Sequence, residues 1–122
     1  MILVAFGTAA RISKSSVRLA RKMGMRVGFI RPISLFPFPE QVIRQASEHT
    51  KKFLAVELNT GQMVEDVKLA VADGARVAFY GRPCGAGSLP TPKEILEQIK
   101  SHCGAGERKE EIACGRAHET RV

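Results

Sequence analysis

Glu57 and Asn59, followed by Gly61-Gln62, form the stretch of this 122-residue chain best equipped for chemistry. A carboxylate at the end of an apolar run can act as a base or take a hydrogen bond from a partner's donor. The sequence sets no second carboxylate, histidine or nucleophile beside it, and Asn59 and Gly61 suit a tight turn on their own. An interface role is therefore expected ahead of catalysis. Gly7-Thr8 opens a helical pattern, whose first N–H groups can hold an anion. One glycine is not a phosphate loop, and neither G-x-G-x-x-G nor G-x-x-x-x-G-K-[ST] occurs. The simpler expectation is that Thr8 caps the helix.

The thiols and imidazoles give less. Cys84 lies in a Gly-rich loop with Arg82 nearby, a setting that can acidify a thiol, but a bystander role is the simpler one. His102-Cys103 and Cys114-x3-His118 can in principle supply four zinc ligands. Paired C-x-x-C spacing is missing and the gap is Gly-rich and charged, so zinc is not expected. His49 reads as a cation near the end of a helix. No catalytic constellation results, and no metal or cofactor site is expected in the chain.

Helix one carries Arg11, Lys14, Ser15, Arg18, Arg21 and Lys22 opposite its apolar stripe. Such a face can dock nucleic acid, a coenzyme phosphate or an acidic protein. Nucleic-acid binding usually brings interleaved aromatics or glycines, which this helix lacks, so a solvated face is the default. Residues 1–103 hold 15 Lys/Arg and 8 Asp/Glu, and residues 104–122 hold four of each, so the +7 charge sits on the first part. A composition of 44% hydrophobic and 25% charged residues is that of an ordinary globular domain. No apolar run approaches the ~20 residues that span a bilayer, and no signal-peptide pattern begins the chain. Three cysteines at unrelated spacings fit a reducing cytoplasm better than a disulfide scaffold.

Four apolar runs must position these residues: Ile2–Phe6, Val27–Ile30, Phe53–Glu57 and Val77–Tyr80. Each is short and nearly continuously apolar, as strands buried on both faces are. Helical patterns alternate with them. Ala9, Ile12, Ser16, Leu19, Ala20 and Met23 form the first, with Gly24 as its stop. Val42, Ile43 and Ala46 form the second, and Met63, Val64, Val67, Ala70 and Val71 the third. Thr91-Pro92-Lys93-Glu94 opens the fourth as a capping box with proline at its first position, and Ile95, Leu96 and Ile99 face inward. The alternation predicts an α/β fold: a parallel sheet with helices on both faces. Ligands of such sheets gather at the C-terminal ends of the strands.

One of those ends is unusual. Arg31-Pro32 breaks the second strand, and Pro37 and Pro39 fix the loop that leads to helix two. Ile33, Leu35, Phe36 and Phe38 make that loop too apolar to face water along its whole length, so it reads as an interface element. Residues 1–103 are expected to form one domain and residues 104–122 a disordered tail, since only Ile112 and the terminal Val122 are large aliphatics there. A strand starting at residue 2 suits a piece cut from a longer protein, although a native start at a central strand is common in this class.

Several motifs in order carry a resemblance. Val4-Ala-Phe-Gly-Thr-Ala-Ala-Arg11, Val27-Gly-Phe-Ile-Arg-Pro-Ile-Ser-Leu-Phe-Pro-Phe-Pro39 and Val56-Glu-Leu-Asn-Thr-Gly-Gln-Met-Val-Glu-Asp66 come first. Phe79-Tyr-Gly-Arg-Pro83 and Pro90-Thr-Pro-Lys-Glu-Ile-Leu96 follow. Together they resemble the alpha chain of the 2-oxoacid:ferredoxin oxidoreductases, in its C-terminal, transketolase-C-terminal-like domain, over about residues 1–100. The Gly-Gln-Met-Val-Glu-Asp and Phe-Tyr-Gly-Arg-Pro pieces look closer to the branched-chain 2-oxoacid (2-oxoisovalerate) subgroup than to the 2-oxoglutarate enzymes.

The resemblance implies a three-layer α/β/α domain with strand order 2-1-3-4 and an extra antiparallel strand from a preceding segment at one edge. It implies a multi-subunit complex that decarboxylates a 2-oxoacid oxidatively, releases an acyl-CoA and reduces ferredoxin. Thiamine diphosphate, magnesium and iron–sulfur clusters are expected elsewhere in that complex and none in this chain. The expected partners are an N-terminal alpha-chain domain and the beta, gamma and delta subunits, with no nucleic acid or membrane. Gly7, Thr8, Arg31, Pro32, Phe36, Phe38, Glu57, Asn59, Gly61, Gln62, Met63 and Arg82 are the interface candidates. Cys84 departs from the family, where a second glycine is common after Arg-Pro, and the tail after residue 103 matches nothing in it. One alternative is a freestanding flavodoxin-like domain binding CoA or a nucleotide through Gly7-Thr8, the Glu57–Gln62 loop and Arg82. Another is a basic adaptor that docks acidic ferredoxin through helix one.

Overall fold

The computed structural model describes residues 1–83, 87, 89–103 and the backbone of 119–121. Four strand-helix pairs follow one another: β1 (Ile2–Ala5), α1 (Gly7–Lys22), β2 (Gly28–Arg31), α2 (Glu40–His49), β3 (Lys52–Glu57), α3 (Met63–Ala70), β4 (Arg76–Gly81) and α4 (Pro92–Cys103). A short β5 (Glu119–Arg121) closes the series. The sheet runs β4-β3-β1-β2-β5, with parallel pairing at every junction. Within the first four strands the order is the expected 2-1-3-4, and the class is α/β.

Each helix packs because its apolar stripe faces a sheet that is apolar on both sides. One core layer joins Leu3, Ala5, Phe29, Leu54 and Val56 to α1 and α4; the other joins Val4, Ile30, Phe53 and Ala55 to α2 and α3. At roughly 25 cal/mol per Å² of apolar surface, these two layers supply the main driving force for folding. Polar ties add registry. Ser16 Oγ on α1 donates to the Pro92 carbonyl of α4 at 2.8 Å, and the Ala72 N–H donates to Ser47 Oγ on α2 at 2.8 Å.

Helix ends follow the sequence closely in two cases. Gly24 takes a positive φ of 82°, its N–H donates to the Arg21 carbonyl, and the Met25 N–H reaches back to Ala20. That is the double bond pattern of a glycine-terminated helix. Thr91 and Glu94 form the reciprocal capping box, with bonds of 2.8 and 3.2 Å.

One expectation is corrected. Helix α1 begins at Gly7, so Thr8 lies inside its first turn, and the position before it is Phe6, which offers no side-chain cap. The range 104–122 contains β5, which pairs in parallel with β2 through Phe29↔Glu119, Ile30↔Thr120 and Arg31↔Arg121. A backbone ladder on an unpaired strand edge needs no apolar side chains, so the composition of this stretch did not forbid it. This edge strand is parallel and comes from the C-terminal stretch, unlike the antiparallel one implied by the resemblance. Residues 104–118 and 122 lie outside the described residues.

Candidate functional site

Because all strands are parallel, the ends of β1, β2, β3 and β4 bring Gly7-Thr8, Arg31-Pro32, Glu57–Gln62 and Arg82 to one end of the sheet. The order reverses between β1 and β3, where this fold opens its crevice.

Glu57 is the best-determined side chain there. It is only 1% exposed, and its carboxylate reads the start of α3. Oε1 accepts from the N–H groups of Met63 (2.7 Å) and Gln62 (3.3 Å) and from Asn59 Nδ2 (3.1 Å), while Oε2 accepts from the Val64 N–H (3.0 Å). The unpaired donors of a helix N-terminus and its positive dipole end are thus met by a buried anion. Asn59 Oδ1 accepts from the Gly61 N–H at 2.8 Å, making the loop an Asx turn. A carboxylate with four donors and no access to solvent is a structural clamp. It cannot reach a substrate as a base.

Glycine is required at two places around this clamp. Gly61 has φ of +111°, a region that side chains rarely adopt. A Cβ on Gly81 would overlap the Phe79 ring and stand 2.5 Å from the Asn59 carbonyl oxygen. The Phe79 ring therefore lies over Gly81 and beside Gly61, and keeps 38% exposure.

Arg82 follows. Its backbone N–H donates to the Glu57 carbonyl (3.1 Å), and its guanidinium meets Glu94 (3.1 Å) and Tyr80 Oη (3.4 Å). The Thr91 N–H first, and then the Arg82 guanidinium, hold the Glu94 carboxyl below the ordinary carboxylate value. Glu94 in turn raises the already high pKa of Arg82. The half-buried Arg82 fastens the end of β4 to the start of α4.

The loop from Arg31 to Pro39 divides in two. Pro32 is buried and Phe38 packs on the α2–α3 core layer. Phe36, by contrast, is 97% exposed and Ile33 74%, with Leu35 at 40%. Arg31 is half-buried, while Gly7, Thr8 and Gln62 are exposed. Of the expected interface residues, Glu57 and Met63 (2% exposed) lie in the interior, each committed to the start of α3. They shape the surface from beneath. The half-buried Asn59 and Gly61 hold the turn itself. Sequence reasoning missed the roles of Phe79, Gly81 and the Arg82–Glu94 pair; the acid at the third position of the capping box was the signal available for Glu94.

Cys84, Cys114 and His118 lie outside the described residues, and His49 ends α2 in its last turn. Among the described residues no three His, Cys, Asp or Glu side chains come together to hold a metal ion. No described helix is long and apolar enough to cross a membrane.

Residues 1–95 match the family model of the pyruvate:ferredoxin oxidoreductase core domain II. The chain is 41% identical over 104 residues to the ketoisovalerate oxidoreductase subunit VorB of Methanothermobacter marburgensis, covering 85% of this chain and 29% of that protein. The VorB subunit of Methanothermobacter thermautotrophicus is 38% identical, with the same coverage. The 2-oxoglutarate synthase subunit KorA of Methanothermobacter marburgensis is 36% identical over 97 residues, covering 80% of this chain and 25% of its own length. This chain thus spans less than a third of the curated relatives it matches. No solved structure gives a significant match.

Proposed function

The chain belongs to the pyruvate:ferredoxin oxidoreductase core domain II family, and on that premise we propose that it serves as the structural and subunit-contact domain of a 2-oxoacid:ferredoxin oxidoreductase alpha chain. In this reading the complex decarboxylates a 2-oxoacid oxidatively to an acyl-CoA and passes electrons to ferredoxin. The 2-oxoacid is branched-chain, because identity to the ketoisovalerate enzymes (41% and 38%) exceeds that to the 2-oxoglutarate enzymes (36%). Thiamine diphosphate, magnesium and the iron–sulfur clusters sit elsewhere in the complex, which works in the cytoplasm. The partners of this domain are the N-terminal part of the alpha chain and the beta, gamma and delta subunits.

The observation that carries the reading is the Ile33–Phe36 loop. Three large apolar side chains stand in water at the end of the sheet where this fold makes its contacts. Around them the polar groups are spent internally: Glu57 on α3 and Arg82 on Glu94 and Tyr80. An exposed aromatic on a loop stiffened by prolines loses little entropy on docking and suits the anchor of an interface.

The test is reconstitution. The purified chain is mixed with the remaining alpha-chain part and beta chain of a ketoisovalerate oxidoreductase and passed over a sizing column, with CoA titrated into the chain in parallel. Co-elution that Phe36→Asp abolishes, with no CoA binding, is expected. Failure to assemble together with saturable CoA or nucleotide binding would replace this reading with that of a ligand-binding domain.

A further inference from the structure

The whole net charge of the chain comes from its first 39 residues. They hold seven Lys/Arg and no Asp or Glu, the first acid being Glu40. Residues 40–103 hold eight of each sign and residues 104–122 four of each. The fold gathers much of this excess on one surface. Helix α1 turns Ala9, Ala10, Ser13, Ser16, Val17 and Ala20 inward and contains no acid. Arg11, Arg18 and Lys22, at spacings of seven and four, form a line down its opposite side, and all three are exposed. Beside that line Leu19 and Met23, one turn apart, keep 39% and 57% exposure.

Among the described residues the neighbouring charges do not neutralise the line. On α4, which packs against α1, Glu94 is paired with Arg82 at 3.1 Å and Glu97 with Lys100 at 2.9 Å. Arg21 is turned away from it, its Nε donating to the Val27 carbonyl at 2.8 Å.

We propose that the outer face of α1 is a docking surface for an acidic protein with an apolar spot that covers Leu19 and Met23. The surface is distinct from the Ile33–Phe36 loop, and the proposal does not depend on the assembly reading above. Charge complementarity selects the partner. A row of cations with no interspersed acid repels basic surfaces and steers acidic ones. Nucleic acid fits less well: it prefers aromatic platforms between its cations, and the exposed side of α1 has none. A membrane fits less well again, because the apolar face of this helix is already spent on the sheet and two exposed apolar side chains cannot anchor it.

The experiment uses the full 122-residue chain and a fluorescent acidic peptide that places Glu on one helical face and Leu on the other. Arg11→Glu, Arg18→Glu and Lys22→Glu together are compared with Arg44→Glu, Lys51→Glu and Arg76→Glu, an equal change of net charge on exposed residues elsewhere. The first variant is expected to lose affinity at least about tenfold and the second less than about threefold. Leu19→Ala with Met23→Ala is expected to weaken binding as well, and wild-type affinity to fall as salt rises from about 50 to 300 mM. Circular dichroism checks the fold; should the reversed variant unfold, Arg11→Gln, Arg18→Gln and Lys22→Gln take its place. Equal losses from the two variants, or no peptide binding by the wild type, would overturn the proposal. So would tighter binding of single-stranded poly-uridylate or of phosphatidylserine vesicles that the same α1 variant abolishes.

Discussion

Replacing Glu57 with Gln tests the clamp at the end of β3 with the least change of shape. The carboxylate accepts four hydrogen bonds while 1% exposed. Glutamine keeps one carbonyl oxygen and turns an NH2 group toward backbone donors that cannot accept from it. At least one N–H, that of Val64 or Met63, then loses its partner in the interior, at about 1–3 kcal/mol. The surviving bonds fall from the charge-assisted range of about 1.5–3 kcal/mol toward the neutral range of about 0.5–1.5. Together these give a destabilisation of about 3 kcal/mol. For a domain of this size that lowers the melting temperature by roughly 12–24 °C, at 4–8 °C per kcal/mol. Urea unfolding followed by circular dichroism reads it directly, with an unchanged slope if only the folded state is affected. A loss below about 1 kcal/mol would refute the claim that this carboxylate holds the loop and the start of α3.

Three further outcomes follow from the same geometry. Gly81→Ala drives a Cβ into the Phe79 ring and against the Asn59 carbonyl, so it should cost about 1–3 kcal/mol; adding Phe79→Ala should recover only part, because the backbone contact stays, and urea unfolding of both variants checks this. The Glu94 carboxyl is held below its ordinary value by the Thr91 N–H and then Arg82. Its contribution is therefore full above the unfolded-state value of about 4.3 and disappears as pH falls through the lower folded value. The melting-temperature gap between the wild type and Glu94→Gln should narrow over that acid range, and a gap that widens there would contradict the assignment. Phe36→Asp removes an exposed side chain, so it should shift stability by less than about 0.5 kcal/mol while abolishing co-elution with the other subunits.

Much of the fold was legible because period and punctuation agree. Ile2–Phe6 and Phe53–Glu57 read as buried strands, and the structure places β1 and β3 there with nearly the same ends. Gly24 and the Thr91–Glu94 box announced a helix end and a helix start that formed as written. The site was less legible. Glu57 read as an interface candidate at the end of an apolar run, and three of its four donors lie five to seven residues on, where no short motif links them. Gly81 needs to be glycine because the ring of Phe79 turns back over it, which is a matter of tertiary placement. The pairing of 119–121 with β2 joins segments about ninety residues apart through backbone alone, so side-chain pattern carries no trace of it.

Hydrogen exchange on the reconstituted complex tests the central claim most directly, because it locates the contact surface without mutation. The account predicts that assembly with the other subunits slows exchange in the segments 31–38, 57–62 and 79–83, at the C-terminal end of the sheet. The segments 24–27 and 72–75 at the opposite end should exchange as they do in the isolated chain. Slowing confined to that opposite end, or slowing at 57–62 and 79–83 produced by CoA alone, would contradict the assignment of this domain to subunit contact.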